Sequence, residues 1–217
     1  MEDPNSIAAY IDSRGISEVL HFTTDRGLLG VFAKGAVLSR DRLDHDDYIE
    51  HIYTPNCSDR LKDADWTDYV NLSISRVNGK MLGISSNKWH NDGSTWWAVL
   101  AFDTSLLTDS GVYFTTTNNT YHACVERGTG LNGLRALFAE SVEWGYYGSK
   151  HRRRMTTPPS WTTDPQAEVL YPALVPITKL TALYVLADEH VDYVNSLFDL
   201  FSHVPRVPVA VKPEVFQ

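Results

Sequence analysis

Short strand-like runs follow one another along this chain with few helical patterns between them, and that order constrains the fold more than any other feature. Val70 to Ser75 alternates Val, Asn, Leu, Ser, Ile, Ser, a period of two that predicts a strand with a half-exposed polar face. Trp96 to Asp103 (WWAVLAFD) and Gly111 to Thr115 (GVYFT) predict two more strands. Val19–Thr23, Gln166–Tyr171 and Leu180–Ala187 read the same way. Helical spacing is confined to residues 5–14 (Ile7, Tyr10, Ile11), 25–34 (Leu28, Val31, Phe32, closed by Gly35), 131–138 and 190–201. A doubly wound sheet needs a helix between each pair of parallel strands, and most of those helices are missing. The expectation is an α+β fold whose core is a split, largely antiparallel β-sheet flanked by helices. At 217 residues, 1–217 is expected to be a single domain around one core.

Several function classes drop out. No Gly-x-Gly-x-x-Gly or P-loop follows a strand, so a Rossmann or Walker nucleotide site is not indicated. Two cysteines, Cys57 and Cys124, are too few for a disulfide scaffold and have no spaced partners for zinc; no metal is expected. There is no apolar run of membrane-spanning length, and the acidic start, Met1-Glu-Asp-Pro-Asn5, is unlike a signal peptide, so a cytoplasmic location is expected. The net charge of −8 argues against coating nucleic acid by bulk attraction. A local basic patch survives: Lys150-His-Arg-Arg-Arg154 carries four formal positive charges in five residues. It sits in a stretch, 145–165, whose Gly, Ser and Pro content predicts a long exposed loop. Residues 40–65 read as an irregular polar insert, and 204–217 as a proline-rich surface strap.

Three short pieces place polar side chains on strands with apolar neighbours: His21-Phe22-Thr23, Asn71 to Arg76, and Gln166-Ala-Glu168. On period-two geometry Gln166 and Glu168 face the same side, about 7 Å apart. Taken singly each has a plainer reading: Glu168 as an ion-pair partner, His21 as a satisfied core histidine, Arg76 as a surface charge. Together, with their spacing and order, they resemble the DarT-type ADP-ribosyltransferase toxins that modify nucleic-acid bases. His21-Phe-Thr23 with Leu28, Val31 and Gly35 is similar to the family's opening strand and helix. Val70-Asn-Leu-Ser-Ile-Ser-Arg76 with Met81-Leu82 is similar to its second motif. Phe114-Thr-Thr-Thr-Asn118 matches a Phe-Thr-x-x-Asn stretch, and Gln166-Ala-Glu168-Val-Leu the final motif. The arginine strand lacks the family's usual proline and aromatic residues.

The resemblance implies an ADP-ribosyltransferase-like domain using NAD as co-substrate. Glu168 is expected as the central catalytic residue, hydrogen-bonded to the ribose and stabilising an oxocarbenium-like transition state. Arg76 is expected to pair with the pyrophosphate and to share in catalysis. His21, the Phe22 backbone, Thr23 and Leu28 are expected to hold NAD, and Gln166 to read the acceptor base. Tyr146, Tyr147, Lys150, Arg152, Arg153, Arg154 and Trp161 interleave cations with rings, as single-stranded nucleic acid requires. His122 and its neighbour Tyr121 are further pocket candidates. Single-stranded DNA is the leading target and RNA the alternative; a nucleotide- or partner-binding module without catalysis is the reading from another class. The resemblance further implies a toxin–antitoxin system, a role in phage defence, and an antitoxin protein partner.

Overall fold

The chain enters its sheet through a short amphipathic helix. Helix α1 (Ile7–Arg14) starts where the Ser6 hydroxyl accepts the Ala9 N–H at 3.1 Å. Strand β1 (Val19–Thr24) follows, and Thr24 doubles as the cap of α2 (Asp25–Lys34), its hydroxyl accepting the Gly27 N–H at 3.0 Å. Gly35, at φ 67°, ends α2 in the left-handed region that side chains avoid. The computed structural model describes residues 6–43, 66–90, 93–145 and 148–217. Most of the expected polar insert, 44–65, lies outside the described residues, as do Cys57, Tyr146 and Tyr147.

The remaining strands are β2 (Ala36–Leu38), β3 (Tyr69–Ile74), β4 (Trp97–Phe102), β5 (Tyr113–Thr115), β6 (Arg127–Thr129), β7 (Ser141–Glu143), β8 (Lys150–Arg152), β9 (Glu168–Pro172), β10 (Leu174–Pro176), β11 (Leu180–Val185) and β12 (Val209–Val211). The helices between and after them are α3 (Gly79–Ile84), α4 (Gly130–Ala136) and α5 (Asp188–Leu200). Eight strands form one sheet in the order β12-β11-β4-β1-β3-β9-β5-β6. Every pairing in it is antiparallel except β11 with β12, so the expected α+β, largely antiparallel architecture is the one observed.

The sheet is split in its middle. β1 pairs with β4 along all of Val19–Thr24, but with β3 only at Val19↔Ile74 and Leu20↔Ser73. Beyond those two pairs β3 turns to β9, pairing at Tyr69↔Pro172 through Leu72↔Val169. A cleft therefore opens between His21–Thr23 and Asn71. Two apolar clusters hold the halves together. The larger is built around Phe32, Leu100, Phe102, Phe114 and Val169, and the smaller around Leu20, Trp97 and Val99. β4 is buried along its whole length, as its unbroken apolar run demands.

Three expectations change. The polar alternation of β3 does not mark a solvent face: Asn71 and Ser73 line the cleft, and Ser73 is buried. Residues 145–165 are not one exposed loop, because β7 and β8 pair as a hairpin and Trp161 to Asp164 fold inward. The terminal segment is more than a strap, since β12 adds a parallel edge strand to β11. No helix among the described residues is long and apolar enough to cross a membrane.

The far edge of the sheet sets the site from behind. A Cβ on Gly133 of α4 would lie 2.5 Å from the Gly128 carbonyl of β6, so helix and strand can meet only through glycine. Gly133→Ala is expected to push β6 outward and cost about 1–3 kcal/mol. A melting temperature lowered by several degrees checks this; an unchanged one contradicts it.

Candidate active site

Glu168 opens β9 opposite Thr115 of β5, and its side chain is only 5% exposed. A buried carboxylate costs several kcal/mol unless it is given donors. The turn after β5 supplies them: Asn118 Nδ2 donates to Oε1 at 3.3 Å, and the Asn119 backbone N–H donates to Oε2 at 2.9 Å. The strand itself is stitched down by Thr115, whose Oγ1 accepts the Glu168 N–H at 3.3 Å. Arg127 of β6 then fixes the turn, its Nε donating to Asn119 Oδ1 at 2.7 Å and its Nη2 to the Asn119 carbonyl at 2.9 Å. Residues 115–119 are thus polar in sequence yet entirely buried.

Strand β1 lines the same cleft. His21 Nδ1 lies 3.0 Å from the Asn71 carbonyl across the split. A carbonyl only accepts, so Nδ1 carries the proton and donates it. Thr23 is buried, and the Phe22 ring packs 5.8 Å from that of Trp97. His21, Phe22, Thr23, Asn71 and Glu168 all line one cleft. Asn78 and Ser85 line it too; Asn78 Oδ1 caps α3 by accepting the Met81 N–H at 3.0 Å. Asn78 Nδ2 and Ser85 Oγ are buried with no hydrogen-bond partner among the described residues. The cleft therefore sets a few polar groups among apolar lining residues such as Leu20, Val31, Val70 and Leu72, the form expected of a small-molecule site.

Other expected site residues stand elsewhere. Leu28 is fully buried in the main core and does not line the cleft, so it can shape the wall only from behind. Arg76 is not a lining residue either. Ser75, at φ 56°, turns the chain out of β3, and the Arg76 guanidinium carbon lies 4.4 Å over the Trp161 ring. Burial pulls the Arg76 pKa down, opposed by the charge of Asp164. His21 and Glu168 share the cleft, while Arg76 and Trp161 form a neighbouring stack on the side where the chain approaches Gln166.

Gln166 precedes β9 and is 5% exposed. Its N–H donates to Asp164 Oδ1 at 2.8 Å, and Tyr121 OH donates to its Oε1 at 3.4 Å. His122, next in the chain, is exposed. The basic run divides. Lys150 pairs with Glu143 at 3.1 Å across the hairpin, an exposed contact that adds little stability. Arg153 turns inward, donating through Nη1 to the Trp161 carbonyl at 2.7 Å and through Nη2 to the Pro158 carbonyl at 2.8 Å; burial lowers its pKa. Arg152 and Arg154 are exposed. Among the described residues no group of three or more His, Cys, Asp or Glu side chains could hold a metal ion.

A family model described as "ssDNA thymidine ADP-ribosyltransferase, DarT" matches residues 20–217. Among solved structures, Thermus sp. 2.9 DarT in complex with NAD+ aligns with a TM-score of 0.66 at 16% identity, covering 93% of this chain and 98% of that one. The same Thermus protein in complex with ADP-ribosylated ssDNA gives 0.66 at 14% identity, covering 94% and 97%. Thermosipho africanus DarTG in complex with ADP-ribose gives 0.62 at 15% identity, covering 92% of this chain but 51% of that one. At such identities the likeness of structures is one of fold. No curated protein sequence matches the chain.

Sequence reasoning named Asn118 without a role and missed Asn119, Arg127, Asn78 and Ser85. Runs of Thr and Asn read as loop, and nothing local shows that this turn is folded around a carboxylate. Gly27 was missed as well: a Cβ there would lie 2.1 Å from Thr23 Oγ1. Gly27→Ala is expected to swing the Thr23 hydroxyl away from its present place and to destabilise the protein by about 1–3 kcal/mol. A crystal structure of the variant with Thr23 unmoved would contradict this.

Proposed function

The chain belongs to the DarT family of ssDNA thymidine ADP-ribosyltransferases, and from that premise we propose that the cleft between β1 and β3 holds NAD while Glu168 promotes transfer of ADP-ribose to thymidine in single-stranded DNA. The observation that carries this reading is a buried carboxylate, held by donors from Asn118 and Asn119, in the same cleft as His21–Thr23. A carboxylate offers about four lone-pair sites. Asn118 and Asn119 each donate to one of its oxygens.

In this reading Glu168 accepts a hydrogen bond from the 2'-hydroxyl of the nicotinamide ribose. The C1'–N bond breaks, the neutral nicotinamide departs with the electron pair, and positive charge builds on the ribose. A fixed negative group beside that charge stabilises the transition state without reorganising. The ring N–H of thymidine must lose its proton as the new C1'–N bond forms, and in this reading the same carboxylate takes it. His21 and Thr23 orient the dinucleotide, and the Phe22 backbone reads its amide. Arg76 would meet the pyrophosphate only where NAD extends past the lined cleft toward Trp161.

Arg152, Arg154 and Trp161, with Lys150, give the acceptor strand a cationic and aromatic approach. With an overall charge of −8 that attraction is local, so binding should weaken steeply with salt. Residues 1–217 then act as one catalytic domain. This chain spans about half of Thermosipho africanus DarTG, which supports reading it as the toxin of a toxin–antitoxin pair, with an antitoxin protein as partner. Phage defence and a cytoplasmic setting follow from the same reading.

Incubation with NAD and oligonucleotides tests it. The expected result is a mass gain of one ADP-ribose on strands containing thymidine, with matched RNA and thymidine-free DNA unmodified. Glu168→Gln keeps the shape of the side chain and is expected to lower the rate by roughly 10²–10³-fold. Near-normal transfer by that variant would refute the role of Glu168.

A further inference from the structure

Two polar atoms in the wall of the cleft have no hydrogen-bond partner among the described residues: Asn78 Nδ2, on a side chain 4% exposed, and Ser85 Oγ, on one fully buried. An unmatched buried donor is destabilising, so two of them in one cleft wall mark a place kept for a ligand. Asn78, Met81 and Ser85 follow one another at spacings of three and four, which sets them on one face of α3 and its flanks, and all three line the cleft. The strand register shows which part of the cleft they occupy. Residues paired across antiparallel strands share a sheet face. Leu20 pairs with Ser73 and Asn71 with Leu170, so these four and Glu168, two residues before Leu170, lie on one face. Val77 and Leu82 pack α3 onto that face against Leu20 and Trp97. One step beyond Leu72↔Val169, Glu168 comes level with Ser73, at the end of β3 that runs into α3. The cleft's other end, at Arg40 and Trp66, lies where β3 begins.

We propose that the Asn78–Met81–Ser85 face of α3 binds the nicotinamide of NAD, an inference that rests on reading the cleft as the NAD site. With Glu168 on the nicotinamide ribose, the ring carried by that ribose is the part of the dinucleotide next to α3, and the ADP portion runs along β3 toward Trp66. Asn78 Oδ1 is engaged by the Met81 N–H at 3.0 Å, so the amide cannot turn and Nδ2, a donor, is the group left over. Its match on nicotinamide is the carboxamide oxygen. The Ser85 hydroxyl accepts as well as donates, and so can receive the carboxamide N–H. Together the two groups answer both halves of a primary amide. Met81 lies between them, a soft apolar surface for a flat aromatic ring. Phe22, on the same sheet face as Leu20, also lines the cleft there. Holding the carboxamide fixes the ring and with it the direction of the C1'–N bond that breaks.

Calorimetric titration without an acceptor strand tests this, with NAD and, separately, with ADP-ribose, which has a hydroxyl in place of the nicotinamide. Asn78→Ser keeps a residue that caps a helix and removes Nδ2. It is expected to weaken NAD about tenfold, the factor one neutral hydrogen bond carries, and to leave ADP-ribose binding unchanged. Ser85→Ala should act in the same direction. Its melting temperature should be no lower than that of the wild type, because the hydroxyl it deletes has no partner in the free protein. Should Asn78→Ser fail to fold, Ser85→Ala alone decides. Wild-type NAD affinity in the folded variants overturns the inference, whether or not Ser85→Ala melts earlier. Equal losses for NAD and ADP-ribose overturn it too, since the contact would then lie on the ADP portion. A wild-type protein that binds neither ligand defeats the reading of the cleft, and this inference with it.

Discussion

Between β1 and β3 the backbone ladder stops after two residue pairs, and the site depends on that interruption. Were the ladder continued, the His21–Thr23 and Asn71 backbones would satisfy each other and no dinucleotide could enter between them. The split is paid for on either side: β1 is fully paired with β4, and β3 is paired with β9, so each edge of the gap is held by its outer neighbour. A polar contact crosses the opening, from His21 Nδ1 to the Asn71 carbonyl at 3.0 Å. It supplies an acceptor to one strand edge and a donor from the other, as far as a side chain can stand in for a ladder.

The second constraint is Glu168. Its burial requires donors, and these come from a polar turn that is itself buried and therefore needs Arg127 to satisfy Asn119. Arg127 lies on β6, whose approach to α4 is set by Gly128 and Gly133. A chain of necessity runs from the sheet edge inward to the carboxylate. Under the proposed role of Glu168 that rigidity is what electrostatic stabilisation asks for, since a charge already in place costs nothing to orient when the transition state forms.

Much of this was legible in the sequence, and the failures share a cause. β1, α2, β3, β4, α5 and β11 carry six or more residues with a clear period or an unbroken apolar run, and the sequence places all of them near their observed bounds. β2, β6, β7, β8, β10 and β12 are three residues each, too short for any period to show. Gly35 and Thr24 act locally, so α2 was bounded correctly at both ends. Arg153 does not act locally: it appears as one charge in a run, and only the folded loop brings the Trp161 and Pro158 carbonyls to it. Asn71 and Ser73 look like a solvent face because a polar cleft and water ask for the same residues. The family resemblance supplied the function; the placement of Arg76 over Trp161, away from the cleft walls, came only from the structure.

The central claim is that NAD lies in the gap between β1 and β3 with its nicotinamide ribose on Glu168. A crystal structure of this protein with a non-cleavable NAD analogue tests it most directly. The account predicts the ribose 2'-hydroxyl within hydrogen-bond distance of a Glu168 carboxylate oxygen, with His21 and Thr23 against the dinucleotide. Density for the analogue on another surface, with the gap closed and His21 still bonded only to protein, would contradict it.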